Sequence, residues 1–250
     1  MIGYKIFEFD RVDSTNTIAD QIFQEHDPAG GEVVWAHDQY AGRGQHDHTW
    51  LSEPGKNLSF TIILRPRFLA PHRQFMLNKA VALGVADFVA AGLGRVSHPA
   101  VSIKWPNDIY VGENKIGGIL IENKIMGSKL DTSLVGIGIN VNQMVFSPEI
   151  PNPASLISFL HQEMDIREML TGVCRHLNAR YAALQDPGNG NLDANYNSRL
   201  LGFELWRDYT FRGSTNRAKI KGVSLTGQLL IETHTGDTLM FDHGEVGFVR

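Results

Sequence analysis

The sequence predicts an α+β protein, in which short strands dominate from Tyr4 to about Gln143 and helices must cover one face of the sheet. Leu58 to Leu64 alternates with the two-residue period of a strand. Pro151 to about Leu201 carries an apolar stripe at helical spacing. The last ~45 residues, from about Trp206 to Arg250, are strand-length runs cut by glycine-bearing turns, a pattern typical of a small antiparallel barrel.

Length and composition limit the function classes. The 250 residues are 42% apolar and 20% charged with a formal net charge of −4, which suits one large domain, or one large and one small. The near-neutral charge argues against a protein whose main role is to grip nucleic acid. Asp87 interrupts even the run from Ala80 to Gly94, so no membrane-spanning helix is expected. The N-terminus lacks signal-peptide features, and we expect a cytoplasmic protein.

Two helices are predicted within the strand-rich region. The first follows Asp13-Ser14-Thr15-Asn16, whose side chains can cap a helix, with apolar residues at helical spacing behind them. The second runs from about His72 to Ala91, where Pro71 suits the first turn and Gly92 and Gly94 suit the exit. Further strands are predicted at Val101 to Trp105, Ile116 to Glu122 and Leu134 to Val141.

A helical region and the tail complete the chain. The helical stripe consists of Ile166, Leu170, Val173, Leu177 and Leu184, and Pro187-Gly188-Asn189-Gly190 ends it. The single cysteine, Cys174, lies within this stripe and is interpreted as a small buried helix residue, with a reactive nucleophile as the alternative. The turns of the tail are Arg212-Gly213, Thr226-Gly227 and Thr235-Gly236-Asp237.

Two segments place a cation or an amide beside a turn. Gly42-Arg43-Gly44 joins two predicted strands; its glycines permit a backbone that wraps a ligand, and Arg43 adds a planar cation. A flexible hairpin connection is the alternative. In Lys104-Trp105-Pro106-Asn107-Asp108, the Asn107 amide offers a donor and an acceptor to a purine edge or a phosphate oxygen. An ordinary Asx-turn is the alternative there.

Two further segments place glycines inside strands, where they mark the close approach of a ligand or a second backbone. Lys115-Ile116-Gly117-Gly118 adds an ammonium suited to a phosphate or carboxylate, although a solvated lysine is the commoner fate. Gly136-Ile137-Gly138-Ile139-Asn140 suggests a surface cleared for a flat ligand. Its alternative is a close contact between a helix and the sheet.

Together, five segments resemble the biotin protein ligase family in order and spacing. They are Asp13-Ser14-Thr15-Asn16, Gly42-Arg43-Gly44, Lys104-Trp105-Pro106-Asn107-Asp108, Lys115-Ile116-Gly117-Gly118-Ile119-Leu120 and Gly138-Ile139-Asn140. The resemblance covers essentially the whole chain. It implies a central mixed β-sheet flanked by helices, shared with lipoate ligases, as a catalytic domain over residues 1–205. A small SH3-like C-terminal β-barrel over residues 206–250 would follow it.

The resemblance also implies a reaction. The family activates biotin with MgATP to biotinyl-5′-AMP, releases pyrophosphate and acylates one lysine of a carrier domain. The implied substrate is therefore biotin, with ATP and Mg²⁺, and the implied partner is the biotin carboxyl carrier protein domain of an acyl-CoA carboxylase. Family members that repress genes carry an N-terminal helix-turn-helix domain; here the first motif lies almost at the start, so we expect no nucleic-acid partner. A homodimer is a candidate assembly.

The implied roles fall on matching residues. Lys115 and Arg43 match the family's catalytic cations, which offset the repulsion between a carboxylate and an α-phosphate. Asp108 would orient or deprotonate the carrier lysine, with an Asx-turn carboxylate as the alternative. Biotin binding is implied for Ser14, Thr15, Asn16, Gln39, Gly42, Arg43, Gly44, Gln45, Lys115 and Gly118. ATP binding is implied for Trp50, Lys104, Asn107 and Asn140, while the ligands of Mg²⁺ stay unknown, since phosphate oxygens and water hold most of that ion.

The loop departs from the family pattern after Gly44. Where the family commonly continues arginine-arginine-glycine or glutamine-arginine-glycine, this chain has Gln45-His46-Asp47, followed by His48. We hypothesise that the loop holds biotinyl-AMP less tightly than arginine-rich relatives do, and that retention improves as His46 and His48 protonate near a pH of about 6. A metal site at His46-Asp47-His48 is the alternative, although no ligand beyond this short cluster is in view.

Two other functions stay open. A lipoate–protein ligase or octanoyl transferase shares the fold, but its lysine-bearing motif lacks the Lys-Trp-Pro-Asn-Asp segment. A polar Ser-Thr-Asn cluster is also a poor floor for an aliphatic dithiolane. The second alternative function is a non-catalytic module that retains biotin or docks a carrier. The intact Arg43 and Lys115 argue against such a module, and the altered stretch from Gln45 to His48 argues for it.

Overall fold

Two β-sheets and the helices packed on them make up the part of the chain that the computed structural model describes, residues 1–45, 48–94, 99–186 and 191–249. The strands of the larger sheet are β1 (Ile6–Val12), β2 (Glu32–Gln39), β3 (Leu58–Leu64), β4 (Val101–Lys104), β5 (Asp108–Val111), β6 (Asn114–Met126) and β7 (Lys129–Ile139). Those of the smaller sheet are β8 (Trp206–Phe211), β9 (Ser214–Val223), β10 (Leu229–Thr233), β11 (Thr238–Phe241) and β12 (Gly247–Phe248). The α-helices are α1 (Thr15–His26), α2 (Phe75–Leu93), α3 (Ile157–Leu160), α4 (Ile166–Gln185) and α5 (Leu192–Ser198).

The larger sheet is mixed, as predicted. It is 7-stranded with the order β1-β2-β3-β7-β6-β5-β4. Strands β1 and β2 are parallel and joined by α1, whereas the remaining neighbours are antiparallel. Strand β5 begins at Asp108, where no strand was predicted, and lies between two strands that were predicted. The central mixed sheet flanked by helices is therefore confirmed.

Helices lie on both faces of this sheet, so the prediction of a single covered face was wrong. On one face, α1 packs against Val34, Ile63 and Leu134. On the other, α2 and α4 pack in the main core with Phe60 and Ile62. Since successive side chains of a strand point to opposite faces, β3 is buried along its whole length. Its polar residue Thr61 therefore faces α1 rather than solvent, and hydrogen-bonds to Asn16 there.

Both predicted helices of the strand-rich region are present. Ser14 is the N-cap of α1, and its side chain accepts a hydrogen bond from the backbone N–H of Asn16 at 3.3 Å. A 3₁₀ turn at Pro71–Arg73 leads into α2, and Gly94 follows its last residue. Among the described residues, the helical stretch Pro71–Leu93 is long and apolar enough to cross a membrane, but 78% of its most apolar window is buried inside the protein. This stretch is the core helix of the larger unit.

The smaller sheet confirms the predicted antiparallel tail. Its order is β11-β10-β9-β8-β12, and the pairings are antiparallel. Each predicted glycine turn lies between consecutive strands of this sheet. The sheet packs on the larger unit, where the Trp105 indole N–H donates to the Gly227 carbonyl at 2.9 Å and Trp105 lies edge-on to His243. The predicted break at 187–190 lies outside the described residues.

Cys174 lies on α4 among the predicted apolar stripe and is buried. Burial raises the pKa of its thiol to about 11, so the interpretation as a buried helix residue is confirmed. At pH 8 we expect the native thiol to react with Ellman's reagent about 100-fold more slowly than the urea-unfolded chain does, because the thiolate is the reacting species. Reaction of the native protein at the rate of the unfolded chain would contradict this assignment.

Candidate active site

A cavity of about 590 Å³ opens where β2, β5, β6 and β7 approach the N-terminus of α1. Nearly all of the predicted site residues line it. They are Ser14, Thr15, Asn16, Gln39, Arg43, Gly44, Gln45, Trp50, Lys104, Asn107, Asp108, Lys115, Gly118 and Asn140. Gly42 instead lines two adjoining cavities. The fold thus brings five distant segments to one place, and the role of each residue stays a prediction.

The cavity has a polar floor, formed by Thr15, Asn16 and Gln39, which line it, and by Thr61, which is buried behind them. The backbone N–H and the hydroxyl of Thr15 donate to Gln39 Oε1 at 2.7 and 3.0 Å. The Thr61 hydroxyl, which is fully buried, donates to Asn16 Oδ1 at 2.5 Å. Since these side chains orient one another, the floor presents fixed dipoles to a small polar group. That property suits a ligand group that both donates and accepts hydrogen bonds.

A carboxylate absent from the predictions joins this floor to the glycine-arginine loop. Glu122 on β6 accepts a hydrogen bond from Asn16 Nδ2 at 2.6 Å and forms an ion pair with Arg43 Nη2 at 2.9 Å, both at Oε2. Gly136 lies directly beneath Asn16, because a Cβ at this glycine would overlap the Asn16 amide. The close approach at this glycine is therefore made by a residue of helix α1, so the alternative of a contact between a helix and the sheet holds at Gly136.

Lys115 and Asp108 form an ion pair at the cavity wall, with Nζ and Oδ1 2.7 Å apart. Asp108 opens β5 opposite Gly118, and an irregularity in the pairing of β5 with β6 places Tyr110 opposite Lys115. The side chains of Lys115 and Asp108 are 27% and 23% exposed, so solvent screens the pair incompletely. The carboxylate therefore holds an ammonium at the cavity, rather than serving only a turn.

Trp50 covers the glycine surface that the sequence predicted to be cleared for a flat ligand. A Cβ at Gly138 would overlap its indole, and a Cβ at Gly118 would lie 3.5 Å from it. Lys115 Nζ lies 5.9 Å from the centre of the indole. The indole N–H is buried and has no hydrogen-bond partner within the described part of the chain. The contact with Gly138 is thus made by an aromatic side chain, not by a helix.

The two predicted ATP-binding asparagines also tie the backbone together. Asn107 Nδ2 donates to the Ile119 carbonyl at 2.6 Å, and Asn140 Nδ2 donates to the Ala154 carbonyl at 3.0 Å. Their side-chain oxygens are the atoms left for a ligand. Lys104 Nζ lies 5.1 Å from the ring centre of Phe248, in the smaller sheet. The C-terminal sheet therefore borders the cavity, to which it also contributes His243.

No group of three or more His, Cys, Asp or Glu side chains within the described ranges is arranged to hold a metal ion. His46 and Asp47, which belong to the predicted pH-sensitive loop and to its alternative as a metal site, lie outside those ranges. His48 lines the cavity. Both interpretations of this stretch therefore stay predictions.

Replacing Thr61 by Val tests the polar floor. Valine keeps the shape but removes the donor, which leaves the buried Asn16 Oδ1 without it, at a cost of about 1–3 kcal/mol. We expect the free energy of unfolding in urea to fall by that amount and the Kd for biotin to rise about tenfold. Thr132→Val is the matched control, since Thr132 is equally buried on β7 and its hydroxyl donates to Asp131 rather than to a residue of the floor. Equal biotin affinity in both variants would contradict a role for this floor.

The chain is similar in fold and in sequence to known proteins. The solved biotin protein ligase from Aquifex aeolicus in complex with biotin and ATP matches with a TM-score of 0.75 and 27% identity, over 99% of each chain. The bifunctional ligase/repressor BirA of Bacillus subtilis is 32% identical over 244 residues, which are 94% of this chain and 72% of the relative. The biotin–[acetyl-CoA-carboxylase] ligase of Paracoccus denitrificans is 35% identical over 138 residues, 52% of each chain.

The fold is that of the biotin protein ligases, with a mixed sheet, flanking helices and a small C-terminal sheet. The sequence model of the biotin/lipoate A/B protein ligase family matches residues 8–140, more than half of the chain. The chain belongs to this family.

Proposed function

We propose that this protein activates biotin with ATP to biotinyl-5′-AMP and transfers the biotinyl group to a lysine of a biotin carboxyl carrier protein. One observation carries the proposal: Arg43 and Lys115 line the same cavity as the polar floor. Cations and fixed dipoles that line one cavity suit a ligand with a carboxylate tail and a ureido head. The relatives named above supply the reaction class.

The first step needs stabilisation of developing negative charge. A biotin carboxylate oxygen attacks the α-phosphorus of ATP, the bond from that phosphorus to the bridging oxygen breaks, and pyrophosphate leaves. Lys115 and Arg43 are the groups that would offset the charge on the α-phosphate. Asp108 keeps the Lys115 ammonium in place before either anion arrives. Such preorganisation lowers the reorganisation needed during the reaction.

The second step transfers the acyl group. The carrier amine attacks the acyl carbon of the adenylate, AMP leaves with the electrons of the acyl–oxygen bond, and the amine loses a proton. Asp108 is the carboxylate that lines this cavity at Lys115, and we propose that it orients the amine and accepts the proton. Trp50, Lys104, Asn107 and Asn140 would hold the nucleotide.

Magnesium fits the site only as an ion bound mainly to nucleotide. The carboxylates Asp108 and Glu149 line the cavity beside the cationic side chains, but the described residues hold no cluster of three acidic, histidine or cysteine ligands. Phosphate oxygens and water would therefore provide most of its coordination, with its charge supplied to the phosphates. We further propose the cytoplasm as location, an acyl-CoA carboxylase as source of the carrier, a homodimer as assembly, and residues 1–205 as the catalytic unit.

A binding experiment followed by a turnover experiment tests the function. Biotin is titrated calorimetrically into the protein, and pyrophosphate release is then measured with ATP and biotin, lipoate or octanoate. We expect biotin to bind and to be required for pyrophosphate release. Biotin binding without pyrophosphate would instead identify a non-catalytic module. Pyrophosphate release with lipoate but no binding of biotin would identify a lipoate ligase.

A further inference from the structure

We propose that Glu122 is a positioning residue of the adenylation site, which holds Arg43 at the cavity and fixes the orientation of the Asn16 amide. The inference rests on the proposed function, because it concerns how biotinyl-5′-AMP is held. Neither the spacing of motifs nor their composition pointed to this residue. Its placement follows from the sheet, in which Glu122 lies on β6 opposite Leu134 of β7.

The first argument is that one oxygen serves two partners. Oε2 of Glu122 lies 2.6 Å from Asn16 Nδ2 and 2.9 Å from Arg43 Nη2. Asn16 is a buried residue of the polar floor, whereas Arg43 lies in the loop between β2 and β3. The carboxylate therefore connects the polar floor suited to biotin with the cation suited to phosphate.

The second argument concerns the Asn16 amide. A carboxylate only accepts hydrogen bonds, so the nitrogen of the Asn16 amide must face Glu122. The oxygen then faces the Thr61 hydroxyl, which donates to it at 2.5 Å. Glu122 thereby fixes the Asn16 amide with its nitrogen toward β6 and its oxygen toward Thr61. At position 122, a side chain that both donates and accepts hydrogen bonds, such as glutamine, would also permit the Asn16 amide rotated by about 180°.

The third argument concerns the Arg43 guanidinium. Its side chain is 47% exposed, so an unanchored guanidinium would sample many rotamers. A charge-assisted bond to Glu122, whose backbone is fixed by the pairing of β6 with β7, restricts this sampling. The pair engages only part of the guanidinium, whose planar fork carries further N–H donors for an anionic ligand. The anchor thus prepares Arg43 for the adenylate without consuming all of its donors.

An ordinary surface ion pair is the competing interpretation, and Glu8 supplies the comparison. Glu8 on β1 binds Arg167 and His37, and its side chain is 35% exposed against 38% for Glu122. Pairs of this exposure typically contribute little to stability. Glu8 does not line the cavities that Arg43 lines. Glu8→Gln is therefore a matched control for Glu122→Gln.

The test measures release of synthetic biotinyl-5′-AMP by stopped-flow tryptophan fluorescence. We expect Glu122→Gln to release the adenylate about tenfold faster than the wild type, since a charge-assisted bond is lost. We expect the release rate of Glu8→Gln to stay within about twofold of the wild-type rate. Circular dichroism melts of both variants report whether the fold is kept. An unchanged release rate in Glu122→Gln would overturn the proposal.

A double-mutant cycle separates positioning from a structural effect. If Glu122 acts mainly through Arg43, then Glu122→Gln should change release by less than about twofold when Arg43→Gln is already present. If the two substitutions multiplied their effects on the release rate independently, the role of Glu122 in positioning Arg43 would be overturned. The wild type provides the other distinction: if it neither binds the adenylate nor forms pyrophosphate from biotin and ATP, the proposed function itself has failed.

Discussion

Replacing Lys115 by Met is expected to slow biotin-dependent pyrophosphate release by about 100- to 1000-fold, the usual effect of removing one preorganised donor to a developing anion. Methionine keeps most of the length and volume of the side chain but removes the charge. In the wild type, Lys115 is held at the cavity by Asp108 at 2.7 Å. The measurement is a single-turnover assay with saturating biotin and ATP.

Lys56→Met is the control for this prediction. Lys56 forms an ion pair with Glu163 at 3.3 Å and its side chain is 42% exposed, but it does not line the cavity. We expect its rate to stay near that of the wild type. Surface substitutions usually have small effects, of roughly threefold or less. If the single-turnover rate of the Lys115 variant lay within about threefold of the rate of the control, the ammonium would have no catalytic role.

Replacing Gly138 by Ala is expected to raise the KM for ATP at least about tenfold while the protein stays folded. The new methyl group would overlap the Trp50 indole. Gly138 lies on β7, which pairs with β3 and β6, so the sheet resists movement and the indole must yield. Because Trp50 is a predicted ATP-binding residue, nucleotide binding should suffer more than biotin binding.

Intrinsic fluorescence and KM values for both substrates measure the effect. Gly92→Ala is the control, since an added Cβ at Gly92 meets nothing within 4 Å. We expect a changed emission maximum only in the Gly138 variant. An unchanged KM for ATP, together with a shifted indole, would mean that Trp50 does not contribute to the nucleotide site.

The parts of the site that the sequence predicted share one property: they are local. Ser14 caps the helix that follows it, and Gly42-Arg43-Gly44 combines loop glycines with a cation in consecutive positions. Such signals depend on neighbours in the chain, which a sequence displays directly. The family resemblance added roles to these local signals. The fold then places the segments around one cavity.

Glu122 and Thr61 could not be predicted, for a physical reason. Thr61 reaches the floor because β3 is central in the sheet and α1 covers one of its faces. Glu122 reaches Arg43 over a separation of 79 residues, through the pairing of β6 with β7. Strand order and register set both contacts, and periodicity alone specifies neither. The order of the strands was unknown from the sequence, and for the same reason the helices were predicted to cover only one face of the sheet.

A crystal structure with biotinyl-5′-AMP bound tests the central claim most directly. The account predicts that oxygens of the α-phosphate lie within about 3.2 Å of both Lys115 Nζ and the Arg43 guanidinium, with the ureido ring on the polar floor. An adenylate bound elsewhere, or one whose phosphate contacts neither side chain while both point to solvent, would contradict it.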